Sequence, residues 1–373
     1  MPEQRVLIIS VSAGSGHVRA AQALLASSSQ FQHVTARHID VMTTVSRSFR
    51  GIYSDFYRHL INHAPALWAY LYKKTDLAQR NDLSTVLRRF VERLCTRKLI
   101  RLIAEFKPDH IICTHFLPAD LLSREISKAR LNCPVWVQIT DFDLHRLWVL
   151  PHVSGYFVAN HEVAFKLREH GVAEAAIQVT GIPIAPVFLE QQDRQACRDQ
   201  LHLQQHLPTA LLLCGGAGIG SVAEIAARLL ETVPELQLIA IAGNNLTLLA
   251  ELQQLSMRNP GRLVALGYSN CIEKLMAASD MVVTKPGGLT SSECLTMGLP
   301  MLLVDPIPGQ EERNGDYLME RGAALKAHDI VSLDYKLRAL ITAPNRLALM
   351  RNKLLLHARP DAAHQVLTHI LEQ

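Results

Sequence analysis

The chain has 373 residues, 49% of them hydrophobic, which predicts two packed domains and excludes a disordered chain. No run reaches the roughly 18 consecutive apolar residues of a spanning helix, and the apolar stretch Val6–Val11 runs into a glycine turn, so it reads as a buried strand rather than a leader. The net charge of +4 is unevenly placed: residues 42–107 carry 13 Lys/Arg against 5 Asp/Glu, a surplus of eight, and the rest of the chain sums to −4. That excludes a uniformly basic nucleic-acid binder and predicts one local basic surface, interleaved with Phe49, Tyr53, Phe56, Tyr57, Trp68, Tyr70, Tyr72 and Phe90.

In chain order, a strand over 5–12, a glycine turn, a helix over 17–28 and a strand over 34–40 open a doubly wound α/β sheet. Strands at 110–114, 134–140, 155–159 and 177–180 continue it, with a helix from about Ala119 and another ending at His170. Gly181–Pro186 stops the pattern and a Gln-rich segment follows. The pattern then restarts: strand 209–214, loop 215–220, helix 221–231, strand 236–242, helix 246–255, and strands 262–267, 281–284, 300–304 and 323–325. Two such halves predict two Rossmann-like domains facing an inter-domain cleft. Their expected extents are 1–187 and 188–345, with a helix over 346–373 returning to the first. Val86–Lys98, with Arg88, Arg89, Arg93 and Arg97, reads as a basic amphipathic helix for an anionic membrane surface or a partner protein. The seven cysteines are scattered without a C-x-x-C pair, which suits a reducing cytosol and offers no zinc site.

Three glycine turns lead into helices: Gly14-Ser-Gly16, Gly215–Gly220 (including Gly216) and Gly287-Gly288. Each places free backbone N–H groups at the positive end of a helix, where phosphate binds. The first lacks the third glycine of the dinucleotide fingerprint, and none has the Lys-Ser/Thr of a P-loop. Taken singly, each is equally a tight strand-to-helix turn. Thr284-Lys-Pro-Gly-Gly-Leu-Thr-Ser-Ser-Glu293 carries more, because it joins a strand end to a helix beginning near Leu289, at the carboxyl edge where open α/β sheets bind ligands. Glu293, a turn further on, can accept two sugar hydroxyls or simply favour the helix dipole. Asp141-Phe-Asp143 has the form of a manganese-binding D-x-D pair, but two acids fix too few ligands, so no metal is expected.

Gly14-Ser-Gly-His17, Thr140-Asp-Phe-Asp-Leu-His-Arg-Leu-Trp148, Gly181-Ile-Pro183, Thr284–Thr290 and Pro308-Gly-Gln-Glu311 follow in order along nearly the whole chain. In these motifs the sequence closely resembles the monogalactosyldiacylglycerol synthase and processive diacylglycerol glucosyltransferase family, glycosyltransferases of family 28. That family is related to the peptidoglycan enzyme that adds N-acetylglucosamine to lipid I. The resemblance implies a GT-B fold and inverting transfer from a UDP-sugar to diacylglycerol, with no cofactor, by a cytoplasmic enzyme held peripherally at the inner face of the cell membrane. It maps Gly287, Gly288, Leu289 and Thr290 onto the diphosphate turn, Glu293 onto the ribose-binding acid, and Gln310 and Glu311 onto the donor-sugar pair. Tyr268 falls in the uracil-contacting segment, Gly216 in a donor-side loop, and Gly14 and Gly16 in the acceptor-side loop. His17 matches the favoured base and Asp141 an aspartate lining the cleft; either can be the base. The loop Ser12-Ala-Gly-Ser-Gly-His17 has fewer glycines than is usual in the family, which bears on acceptor placement.

A base near neutral pH fits His17, whose ordinary pKa is about 6.5. The same histidine can instead be a packing residue at a helix start. Competing functions are N-acetylglucosamine transfer to a polyprenyl-linked acceptor, 2-epimerisation of UDP-N-acetylglucosamine, and a noncatalytic UDP-sugar sensor. The motif 308–311 favours the diacylglycerol branch, the basic-aromatic stretch speaks against the epimerase, and a sensor would bind UDP without turnover. The sequence leaves open the donor hexose among UDP-glucose, UDP-galactose and UDP-glucuronate, the number of sugars added and the oligomeric state.

Overall fold

The computed structural model of the protein describes residues 3–12, 14–44, 64–77, 97–213 and 221–373. Gly216 and, apart from Arg97 and Lys98, the basic segment expected over 86–98 lie outside the described residues. The chain forms two compact units. The first comprises Met1–Pro186, Pro308–Gln310 and Arg359–Gln373; the second comprises Val187–Ile307 and Glu311–Ala358.

In the first unit six parallel strands lie in the order β2-β1-β3-β4-β5-β6. They are β1 (Gln4–Ser10), β2 (Val34–Asp40), β3 (His110–Cys113), β4 (Val135–Gln138), β5 (Gly155–Val158) and β6 (Ile177–Val179). β1 reads as a continuous apolar run because helices cover both faces of a parallel sheet. Leu7 and Ile9 enter one core with Ile111, Val135, Val137 and Trp148. Val6 and Ile8 enter the other with Ala21, Leu24, Ile112, Trp136 and Phe157. That second face is completed by the helix Ala362–Leu371, through Ala363, Val366, Leu367 and Ile370. Its three large side chains supply about 1.5–3 kcal/mol of burial each.

The single helix expected over 346–373 is two helices: Pro344–His357, in the second unit, and Ala362–Leu371, in the first. Pro360 separates them, since it lacks an N–H and disfavours helical backbone at the residue before it. Gly181 has a positive φ of 98°, and a Cβ there would lie 2.4 Å from Cβ of Arg359. Only glycine lets the returning chain pass so close.

The second unit repeats the plan, with parallel order β12-β11-β10-β7-β8-β9. The strands are β7 (Thr209–Leu213), β8 (Gln237–Ile241), β9 (Leu263–Leu266), β10 (Met281–Thr284), β11 (Met301–Leu303) and β12 (Ala324–Lys326). Buried Arg198 ties the helix Arg194–Gln200 to the strand starts: it donates to Thr209 Oγ1 (3.0 Å), Asp280 Oδ2 (2.9 Å) and the Ala278 carbonyl (2.9 Å). Among the described residues no helix is long and apolar enough to cross a membrane.

Candidate active site

Strand order fixes where each unit can bind a ligand. The chain leaves β1 for β2 on one side and later returns as β3 on the other, so a crevice opens beyond the carboxyl ends of β1 and β3. The described residues there are Ser12, residues 14–17 and residues 114–116. The first helix spans Ser15–Ser28 and so starts two residues earlier than expected. Gly14 is therefore its N-cap, Gly16 sits in its first turn, and no side chain caps it. A Cβ on Gly14 would meet nothing within 4 Å, and its φ of −155° suits any residue. The loop is anchored by Asp40, whose Oδ1 accepts from the N–H of Ser12 (3.1 Å) and of Met42 (3.0 Å).

His17 Nδ1 lies 2.8 Å from the carbonyl oxygen of Thr114 and 2.9 Å from Thr140 Oγ1. A carbonyl only accepts, so Nδ1 carries the proton and Nε2 keeps its lone pair. The His17 ring meets that of His115 edge to face, at 4.5 Å between centroids and 78° between planes, and Trp148 lies 6.2 Å away. His115 is buried, and its Nδ1 accepts the Leu117 N–H (3.0 Å), capping the helix Phe116–Ser127 three residues before its expected start. Burial lowers the pKa of His17 below 6.5, partly offset by the charge of Asp141 and by the bond to Thr114. His115 is pushed well below 6.5, by burial first and then by His17. At neutral pH His17 is thus an uncharged imidazole with an available nitrogen, and half-buried Asp141 is close enough to act on its charge.

The remainder of the Asp141–Trp148 segment is used differently. Asp143 accepts from Lys166 Nζ (2.5 Å) and from the Leu144 N–H (2.8 Å). His145 Nδ1 accepts from the Leu147 N–H (3.1 Å), and its Nε2–H donates to the Tyr72 carbonyl (3.2 Å). Arg146 N–H donates to Asp76 Oδ1 (2.9 Å). Asp143 therefore holds the segment to Lys166, and His145 holds it to the helix Pro65–Leu77. Sequence reasoning did not single out Thr114 or His115. The one available signal was that they follow β3 as Ser12 follows β1.

In the second unit the switch point lies between β7 and β10. The loop after β7 is outside the described residues. The turn after β10 leads into the helix Gly288–Met297, whose N-cap Gly287 offers no side chain to the first N–H groups, those of Gly288, Leu289 and Thr290. Pro286 packs against Gly315 of the helix Gln310–Glu320, 3.5 Å from where a Cβ on that glycine would stand. Glu311 Oε2 accepts the Ile307 N–H (2.7 Å), while its Oε1 is 3.7 Å from the position of a Cβ on Gly287. The structure thus brings the 287–290 turn and Glu311 together. Glu293 is on the same helix, only 2% exposed. Tyr268 is 70% exposed and follows β9, three strands from β10 at the sheet edge. Gln310 falls with Pro308 and Gly309 in the first unit, where the Pro308 carbonyl accepts from Trp68 Nε1 (3.1 Å).

Two Rossmann-like units, each with polar groups gathered at a switch point, define the GT-B class of glycosyltransferase fold. Solved structures agree. A UDP-GlcNAc 2-epimerase from Neisseria meningitidis, bound to UDP-GlcNAc, superposes with a TM-score of 0.66 at 12% identity, covering 99% of this chain and all of that one. MurG from Acinetobacter baumannii gives 0.63 at 17%, with the same coverage. Because an epimerase shares the fold, the fold alone does not choose the reaction. Residues 17–184 match the model of monogalactosyldiacylglycerol (MGDG) synthase, and 209–366 match the glycosyltransferase family 28 C-terminal domain. The processive diacylglycerol beta-glucosyltransferase of Staphylococcus carnosus (strain TM300) is 30% identical over 332 residues, 86% of this chain and 80% of that one. The protein of that name from Bacillus licheniformis is 26% identical over 372 residues, 99% and 95% of the two chains. The chain belongs to this monogalactosyldiacylglycerol synthase and processive diacylglycerol glucosyltransferase family.

Proposed function

We propose that the protein transfers a hexose from a UDP-sugar to the hydroxyl of diacylglycerol, with inversion at the anomeric carbon, at a membrane surface. The observation that carries the reading is the state of His17: neutral, with Nδ1–H held by the Thr114 carbonyl and Nε2 left to accept a proton. The acceptor hydroxyl gives its proton to Nε2 as its oxygen bonds to the anomeric carbon. The bond from that carbon to the diphosphate breaks, and the electron pair leaves with UDP. Asp141 stabilises the imidazolium that results. The N–H groups of residues 288–290, at a helix N-terminus, receive the charge growing on the diphosphate. Glu293 takes the ribose hydroxyls, and Gln310 and Glu311 the sugar. Tyr268, exposed after β9, offers a face for uracil, and Gly216 belongs to the donor side. Gly14 and Gly16 leave room for the acceptor. No metal or other cofactor has a part in this scheme.

Glucose is the first donor to test, from the names of the relatives. The helix Pro65–Leu77 supports a peripheral site on the inner membrane face. It exposes Leu67, Tyr70, Lys73 and Lys74, while Trp68, Tyr72 and Asp76 tie it to the fold. The decisive experiment incubates purified protein and diacylglycerol vesicles with UDP-glucose, UDP-galactose, UDP-glucuronate or UDP-N-acetylglucosamine and reads the lipids by mass spectrometry. Hexosyl-diacylglycerol from one donor is the expected result. No lipid product from any donor sinks the reading in favour of a polyprenyl-linked acceptor and, if that too gives no product while UDP still binds, of a sensor.

A further inference from the structure

The helix Pro344–His357 has a face that the fold leaves uncovered. Its inward residues Met350 and Leu354 are buried, and Leu355 lies 3.4 Å from where a Cβ on Gly298 would stand, at the end of the 288–297 helix. Leu349 and Leu356, seven residues apart and therefore on one side, are 61% and 80% exposed. Its 14 residues include no acid. Arg351 is engaged by Asp280 (3.1 Å), but Arg346 and Lys353, also seven apart and exposed, form no ion pair among the described residues. The second unit as a whole has 15 Lys/Arg and 17 Asp/Glu, so this helix, with three cations, stands out against an acidic background. The helix Ile330–Ile341, which packs beside it, exposes Val331 and Tyr335 one turn apart.

We propose that this face docks on an anionic lipid bilayer, giving the second unit its own membrane contact; the inference rests on the lipid-acceptor reading above. Leu349 and Leu356, two turns apart, enter the headgroup boundary while flanking cations meet the acidic headgroups. A second copy of the chain is the poorer occupant: a two-fold contact through this face sets the cations Arg346 and Lys353 of one copy against those of the other.

The test measures cosedimentation with phosphatidylcholine vesicles, with and without about a third phosphatidylglycerol. Arg346→Gln with Lys353→Gln is expected to weaken binding to the anionic vesicles about 25-fold, at about fivefold per cation, with little change on the neutral ones. Leu349→Ser with Leu356→Ser is expected to weaken binding to both. Unchanged UDP affinity and melting temperature establish that each variant is folded. Unaltered vesicle binding in both variants overturns the proposal, and so does a concentration-dependent oligomer that the leucine variant abolishes. Transfer to short-chain diacylglycerol in detergent micelles is expected to survive in both variants. If wild-type protein binds vesicles but glycosylates no such acceptor, the lipid-acceptor reading fails and the docking face stands.

Discussion

The two switch points of this molecule are built from different materials. In the first unit the crevice is built from side chains: two imidazoles edge to face, an indole, a threonine hydroxyl and a carboxylate, set around one carbonyl. In the second it is built from backbone, a glycine turn and the first N–H groups of a helix, with Glu311 braced beside it. Side chains titrate and backbone amides do not. The first unit is therefore suited to moving a proton and the second to holding a fixed negative charge. This division predicts that substitutions in the first unit change kcat and its pH dependence, whereas those in the second change affinity for UDP.

The largest expected effect is that of His17→Ala, which should lower kcat by about 10²–10⁴-fold and leave UDP affinity by calorimetry unchanged. Full activity in that variant would shift the base to Asp141. Next, Glu293→Ala should weaken UDP binding about tenfold or more, through loss of charge-assisted hydrogen bonds. Unchanged affinity would remove this acid from the ribose role. The pH profile sharpens the comparison further. His17 accepts a proton only when neutral, and burial holds its pKa below 6.5. So kcat should be flat above that value and fall as pH drops through the depressed pKa. Asp141 raises that pKa, so Asp141→Asn should move the acidic limb to still lower pH. A limb that stays in place would refute the coupling. Smallest, Gly14→Ala should leave the melting temperature within about 1 °C, since its backbone is extended and the added methyl has space. A raised acceptor KM would then place the acceptor against that glycine.

The sequence made the two sheets legible for a physical reason. Strands buried on both faces, such as 6–9 and 281–283, leave runs that polar periodicity cannot disguise. The turns at Gly14 and Gly287 were legible from composition, glycines between a strand end and a helix start, although their φ values of −155° and −70° do not require glycine. The helix Gln310–Glu320 escaped because QEERNGDYLME carries its few apolar residues, Tyr317 and Leu318 among them, without a repeating stripe. His115 escaped because its partnership with His17 depends on β3 pairing with β1, Ile9 beside Cys113, across about a hundred residues of chain. Local pattern does not encode that register. The anchoring roles of Asp143 and His145 were hidden for the same reason, since Lys166 and Tyr72 meet them only in the folded unit.

The seat of the helix Ala362–Leu371 on the first sheet has a consequence for biogenesis. On the ribosome, Ala21 and Leu24 are available early to Val6 and Ile8, but Val366, Leu367 and Ile370, which complete that face, are made after the whole second unit. At about 5–20 residues per second that leaves roughly ten to forty seconds during which one face of the nascent first unit stays incompletely covered. The early half must wait, sheltered or molten, for its last piece, and a ribosome stalled before residue 362 would release an apolar surface to chaperones or proteases.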